Sequence, residues 1–288
     1  MALGKKIGVV FLIFTLLSLV GLYFVYQSLF KSSTVAAQLH VESGDVNVDN
    51  VKVDGNVKLK RGSVIETLSS GLATVILYES TLISLSENTK VKVDDLILKH
   101  PKVSQEKGKT WNKFTKVVGS EDYSIKAGNT VASVRGTGFL LTDSKVVTGE
   151  GSVDYEADGK SFVVEKYKAV EKKDGEIVER SATKDELNEI SRSIERTINE
   201  LKYLRQLEID KKKFLLDQMR KMYTIRDDQI QEALDTADKG LVDIDELMKQ
   251  YKNKIPAGIS LETLDKVVAI TKEIQKLNQD LDEIKDKS

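Results

Sequence analysis

Side chains able to carry proton transfer, nucleophilic attack or metal binding are few in this chain of 288 residues, and their spacing argues against an enzyme. The two histidines, His40 and His100, stand apart, with no H-x-x-x-H pair and no carboxylate-histidine pattern around either. Acid-base catalysis needs titratable groups set against one another, so both read as surface or turn residues. Cysteine is absent, which removes disulfides, thiolate nucleophiles and thiolate metal sites together. Arg135-Gly136-Thr137-Gly138 is too short for a phosphate loop and sits in the wrong, strand-like context. Asp243-Ile244-Asp245-Glu246 lacks the spacing of a calcium loop and reads as a solvated helix start. The 45 acidic residues balance the 44 basic ones, so no broad field recruits nucleic acid. No cofactor and no metal are expected.

The elements that must position these residues change character along the chain. From about Thr34 to Arg180, short alternating apolar and polar runs are separated by Gly, Asn and Asp, the pattern of an antiparallel β domain. Candidate strands run from Gln38–Glu42 through Ala73–Leu77, Leu82–Leu85, Tyr123–Ala127 and Val131–Arg135 to Gly151–Tyr155, spaced as in a β-sandwich or irregular barrel. Asp158-Gly159 and Asp174-Gly175 each predict a two-residue hairpin turn, because Asp-Gly readily takes positive φ. The second hairpin, with polar residues on both arms, reads as a ribbon projecting from the domain.

After Ser181 the period becomes helical. Thr183 and Glu186 form a capping box. Leu187, Ile190, Ile194, Ile198, Leu201 and Leu204 then paint one stripe. The sequence allows one helix of about 55 residues or a bend near Lys211–Lys213. A second helix is expected over Leu241–Lys252, and a last one, capped by Ser260, carries Leu261, Leu264, Val267, Ile270, Ile274, Leu277, Leu281 and Ile284. Its later steps alternate three and four, a coiled-coil seam. Two narrow stripes predict an antiparallel helical hairpin with Leu187, Ile190, Ile194, Leu201, Leu264, Ile274, Leu277 and Leu281 at the interface; self-association into a bundle is the competing solution.

The first residues stand apart. Ile7 to Phe30, which includes Phe11, Leu16, Leu19 and Leu22, holds no charged residue or histidine. As a helix it would reach roughly 36 Å, enough for a hydrocarbon core of about 30 Å. Lys5 and Lys6 precede it, so the positive-inside tendency puts the N-terminus in the cytoplasm and the bulk of the chain outside. The run exceeds the apolar region of a signal peptide, although Val35-Ala36-Ala37 resembles a cleavage site. The expected organisation is thus a stub and transmembrane anchor over 1–31, a β domain with its terminal hairpin over 35–180, and a helical region over 182–288.

An ordered set of motifs lies within the β region. Val57-Lys58-Leu59-Lys60-Arg61-Gly62-Ser63-Val64-Ile65-Glu66-Thr67 fits V-x-L-x-x-G-x-x-I-x-T. A stretch from Ser70 and Ala73 through Leu77, Leu82, Leu85, Asn88 and Thr89 to Val93 follows. Gly108-Lys109-Thr110-Trp111 fits G-x-x-W, and Val131 to Phe139 fits A-x-V-R-G-T-x-F. In this order the motifs resemble the FecR domain, over roughly Val35 to Tyr155. One departure is Tyr78-Glu79-Ser80-Thr81, where the family has Asp-Gly-Ser, so that turn is expected to be distorted. Trp111, Val134, Arg135, Gly136, Thr137 and Phe139 read as structural: Trp111 filling core, Arg135 pairing with an internal carboxylate, Gly136 and Gly138 permitting a bulge or close approach.

The family resemblance implies transmembrane signalling to a cytoplasmic sigma factor. Only six residues precede the apolar run, which is expected to leave no anti-sigma domain. The reading is therefore a non-enzymatic, membrane-anchored extracytoplasmic binding or scaffold protein of the cell envelope, whose partner is another envelope protein or a second copy. The alternatives are an envelope ligand sensor, binding a glycan or metal chelate through Trp111 and Arg135, and a signalling regulator.

Overall fold

Local pairing rules turn the alternating runs into eighteen strands. The computed structural model describes residues 37–288 except 98–99, 116–122, 135, 174, 212–216, 218–225, 247–248, 250–261 and 288, with the backbone alone of 227 and 262–264. The first strands are β1 (Ala37–Ser43), β2 (Val46–Val48), β3 (Val51–Val53), β4 (Asn56–Lys58), β5 (Val64–Thr67) and β6 (Leu72–Leu77). Then come β7 (Thr81–Leu85), β8 (Lys90–Asp95), β9 (Lys102–Lys107), β10 (Lys109–Phe114), β11 (Tyr123–Ala127) and β12 (Thr130–Val134). The last are β13 (Gly138–Thr142), β14 (Lys145–Glu150), β15 (Ser152–Ala157), β16 (Lys160–Glu165), β17 (Lys168–Lys173) and β18 (Glu176–Ser181). Among the described residues the long helices that follow are α1 (Lys184–Lys211), α2 (Asp227–Asp238) and α3 (Glu262–Lys287).

The strands form two nine-stranded sheets in a sandwich. One has the order β18-β17-β14-β13-β10-β7-β6-β1-β4, the other β16-β15-β12-β11-β9-β8-β5-β2-β3. Pairing is antiparallel except for β9 with β11. The inner faces bury a common core that includes Leu39, Val75, Phe114 and Phe139 of the first sheet and Val91, Ile125 and Tyr155 of the second. A buried polar chain crosses this core. Tyr123 Oη donates to Asn112 Oδ1 (3.0 Å), Asn112 Nδ2 to Thr110 Oγ1 (2.8 Å), and Thr110 Oγ1 to Gln105 Oε1 (2.7 Å). Burial pushes the Tyr123 phenol well above its ordinary pKa, so it stays a donor.

The first sheet, hereafter the helix-side sheet, is covered on its outer face as well. Ile76, Leu82, Trp111, Leu140, Val147 and Ala169 face outward and share a second core with Leu187, Ile190, Ile194, Leu201 and Leu204 of α1 and Ile270, Ile274, Leu277, Leu281 and Ile284 of α3. The two helices run antiparallel, since Glu195 meets Lys285 (3.9 Å), Arg205 donates to Thr271 Oγ1 (3.1 Å) and Glu208 meets Lys266 (3.5 Å). The stripes thus close on each other and on the sheet within one chain. The three-layer arrangement follows from width: a two-residue-wide seam buries one partner, whereas α1 also buries Ser193, Thr197 and Glu200. Each fully buried Leu or Ile contributes about 1.5–3 kcal/mol, so the apolar stripe supplies most of the attachment.

Several local expectations are modified. Arg226 is extended (φ −92°, ψ 158°) immediately before α2, which rules out a single helix continuing through this region. A helix over Asp227–Asp238 precedes the one expected over Leu241–Lys252, within which the described Ile244, Asp245, Glu246 and Lys249 are helical. Gly240, at φ 71°, turns the chain after α2, and Asp243 Oδ1 accepts the Asp245 and Glu246 N–H groups (2.9 and 3.1 Å), the cap of a helix start. The hairpin at Asp174-Gly175 is no free ribbon, because Ala169, Val170 and Glu171 pair with β14 and both Ala169 and Val170 are fully buried. Among the described residues no helix is long and apolar enough to cross a membrane. Ile7–Phe30 lie outside them.

Candidate functional site: the seam between sandwich and helices

The chemistry-bearing side chains that come together do so where α1 and α3 meet the helix-side sheet. At its centre is a β-bulge. Gly138 pairs with Glu150, but Phe139 pairs with Thr148, so Gly149 is an extra residue in β14. Without it, alternation would turn Glu150 toward the inter-sheet core; the bulge returns its carboxylate to the helix side. There Glu150 binds Lys113 of β10 and Lys276 of α3, and Lys113 also lies 2.6 Å from Glu273 of α3. Lys113 is 1% exposed and Glu150 3%. Two cations and two anions cancel.

Burial pushes the Glu150 carboxyl up, but Lys113 and Lys276 outweigh it and hold the group below its ordinary pKa. Trp111 lies beside this quartet. Its ring passes over Gly138 and Gly149, where a Cβ would come 2.8 and 2.9 Å from ring atoms. Its indole Nε1 donates to Thr197 Oγ1 of α1 (3.0 Å). The glycines are required here by close approach of the indole.

Charge pairs also ring the seam. At the entry to α1, Thr183 N–H donates to Glu186 Oε2 (2.8 Å) and Glu186 N–H to Thr183 Oγ1 (3.3 Å), the capping box. Glu186 further accepts Lys145 (2.6 Å) and both terminal nitrogens of Arg180 (2.7 and 2.9 Å). Burial raises this carboxyl, but Arg180, Lys145 and the Thr183 amide together hold it far below the usual carboxylate range. Arg196 binds Glu42 through two nitrogens (3.0 and 2.8 Å), Lys109 pairs with Glu189, and Lys166 reaches Asp280 (2.8 Å) and Glu283 (2.6 Å). Such rim pairs are each worth about 0–1 kcal/mol. They set register more than strength.

The distorted turn belongs to the same seam. Tyr78 and Glu79 both take left-handed backbone, φ 49° and 56°, a conformation that costs a non-glycine residue on the order of 1 kcal/mol. Glu79 uses it to reach the far end of the arm, pairing with Lys266 of α3 and lying 3.7 Å from Lys211 of α1. An Asp-Gly turn would relieve the backbone and lose both contacts.

His40 of β1 and Glu200 of α1 form a pair that no local pattern announces. Nδ1 of His40 lies 2.8 and 2.9 Å from the two carboxylate oxygens, across 160 residues of sequence. The imidazole stacks on Tyr203 with ring centroids 4.6 Å apart, and Asn56 of β4 donates to the Tyr203 hydroxyl (2.5 Å). Burial raises the Glu200 carboxyl, which His40 only partly offsets.

The family-motif residues are placed as follows. Val134 ends β12 in one sheet and Phe139 sits in β13 of the other, both in the inter-sheet core, so the motif is the crossover between sheets. Gly136 supplies positive φ (78°) within it, and Thr137 is buried with its hydroxyl unpaired. Arg135 lies outside the described residues, as does the side chain of Leu264. Trp111 is 1% exposed beneath α1, so its ring faces offer no sugar platform while the arm is docked. Where α2 meets α1 and α3 there is an open groove of ≈ 510 Å³ lined by Lys202, Asp238, Lys239, Asn278 and Leu281. Its Asp238 is committed to Arg205 (2.5 and 2.9 Å). Among the described residues no group of three or more His, Asp or Glu could hold a metal ion.

Comparison with known proteins agrees with the β region's motifs. Residues 63–154, from the edge of β5 into β15, match the family described as FecR protein, the family that the motifs resemble. No curated protein matches the chain. Two crystal structures of a candidate anti-sigma factor from Parabacteroides distasonis align at TM-score 0.37 with 16% and 15% identity, each over 41% of this chain. The chain spans 59% of the length of these solved structures. A likeness so partial carries no functional argument.

Proposed function

We propose that this chain is a non-enzymatic binding or scaffold protein of the cell envelope, held by Ile7–Phe30 as a single-pass anchor and displaying its FecR domain outside the cytoplasm. The observation that supports this reading is the seam. The helical arm closes one face of the sandwich, and the charged groups that converge there neutralise one another in pairs. Recognition is then left to the outer face of the second sheet and to the edge strands β16 and β18, where Val163 and Val178 are 58% and 41% exposed. Exposed strand edges bind by adding a partner strand.

The absence of native cysteine allows a direct test. Val163→Cys should react with a membrane-impermeant thiol reagent on intact spheroplasts; labelling only after lysis would sink the extracytoplasmic placement. Photo-crosslinking from Val163 and Val178 in native envelopes should give one discrete adduct, a dimer or a single partner. A monomer uncrosslinked from both edges would count against the binding reading.

The FecR domain itself favours a second reading, a signalling regulator working through a protein partner. Exchanging Ile7–Phe30 for an unrelated apolar anchor separates the two. Function would survive the exchange if the segment is only an anchor.

A further inference from the structure

Among the described residues, the carboxylates joining the helical arm to the sandwich meet cations that carry charge at every physiological pH, with one exception. Glu42 has Arg196, Glu79 has Lys266, Glu150 has Lys113 and Lys276, Glu186 has Arg180 and Lys145, Glu189 has Lys109, and Asp280 has Lys166. Glu200, 4% exposed, has His40, whose ring becomes a cation only by taking up a proton. We propose that the His40–Glu200 pair is a proton-operated latch that fastens α1 to β1 more tightly as the surrounding medium turns mildly acidic.

The geometry suits a bistable contact. Nδ1 sits almost equally far from both carboxylate oxygens, so the neutral ring donates one hydrogen bond to a buried anion, and the protonated ring supplies the missing charge without moving. Tyr203 holds the ring plane by stacking at 12°, and Asn56 holds Tyr203. The other charged groups facing the pair are Glu42 on β1 and Arg196 on α1. These two are engaged with each other at 2.8 Å, and Thr74 of β6 donates to the same Glu42 (2.7 Å). Arg196 therefore cannot serve Glu200 without abandoning Glu42. A proton on the pair is shared between facing groups only while the arm is docked, so docking and protonation favour each other. An unperturbed imidazole titrates near about pH 6.5, the range an extracytoplasmic surface meets.

The test is hydrogen exchange on the full-length chain in nanodiscs, corrected for intrinsic rates, between about pH 8 and about pH 5.5. Amides of α1 around Glu200 should gain several-fold protection toward acid in the parent. His40→Gln and Glu200→Gln, which keep a hydrogen bond but not the titration, should each flatten the response. Because the chain has only two histidines, ring ¹⁵N spectra give His100 as an internal reference. The His40 ring signals should move in Glu200→Gln while those of His100 stay. A flat parent profile, or a full acid response retained in His40→Gln, would overturn the latch.

Discussion

Replacing Lys113 by Met tests whether the central quartet acts as one unit. Met keeps an unbranched side chain of similar length and deletes the ammonium. Glu150 would then keep only Lys276, whose side chain is 53% exposed, and Glu273 would lose the cation 2.6 Å from its Oε1. Removing one partner from a buried ionic cluster typically costs about 3–5 kcal/mol, because a carboxylate is stranded in a poor solvent. The cost here should fall at the low end, about 3 kcal/mol. Lys276 remains, and the Glu273 side chain is 15% exposed, which admits water. Removing the second anion as well, in Lys113→Met/Glu273→Met, leaves Glu150 and Lys276 as a neutral pair beside an apolar patch. That double variant should return to within about 1 kcal/mol of the parent. Urea unfolding followed by tryptophan fluorescence reads the joint directly, since Trp111 is the sole Trp and lies beside the quartet. A loss under about 1 kcal/mol in Lys113→Met, or a double variant less stable than the single, would refute the mutual dependence.

Three further outcomes follow from the same seam. Gly149→Ala places a Cβ 2.6 Å from Ile190 Cγ2 and 2.9 Å from the Trp111 ring; overpacking of this kind costs about 1–3 kcal/mol, and a thermal midpoint unchanged from the parent would contradict the packing described. Glu79→Gly should leave global stability within about 1 kcal/mol, relief of left-handed strain offsetting the lost ion pairs, yet amide exchange around Glu208 and Lys266 should quicken; unchanged exchange there removes Glu79 from the joint. Toward strong acid the seam should weaken. Glu150 and Glu186 are held below their ordinary pKa values, so their stabilisation is complete above about pH 4.3, the unfolded carboxylate value, and disappears as pH falls through the folded values. Glu186→Gln should shrink that acid limb in a series of urea midpoints.

What could be read in advance was local. The capping box of Thr183 and Glu186, the hairpin turn at Asp158-Gly159 and the three-four stripes of α1 and α3 each depend on the spacing of neighbours a few residues apart. The covering of the helix-side sheet was visible too, but in a signal easily taken for simple alternation. Val75-Ile76-Leu77 and Phe139-Leu140-Leu141 are continuous apolar runs, the mark of strands buried on both faces. The quartet was not legible. Whether Glu150 points inward or outward hangs on one bulged residue, Gly149, and a period-two reading assigns it the wrong face. His40 looked isolated because its carboxylate partner lies 160 residues away, joined to it only after α1 folds back over β1.

The turn at Tyr78-Glu79 shows how far the arm is integral to the sandwich. Positive φ in a tight turn is most cheaply supplied by glycine, yet the three-residue turn between β6 and β7 keeps two consecutive non-glycine residues there. Such strain persists only where surroundings over-determine it. Here Tyr78 Oη donates to Leu96 O (2.5 Å) toward the second sheet, while Glu79 turns to Lys266 and Lys211 of the arm. One turn thus binds all three layers together. An arm added to a finished sandwich would have no reason to strain a hairpin beneath it, whereas an arm that completes the sandwich does. On that view the helix-side face is closed by design, and the proposed envelope contacts must be sought on the strand edges and the second sheet. The His40–Glu200 pair is then the point at which proton uptake would tighten or relax the closure.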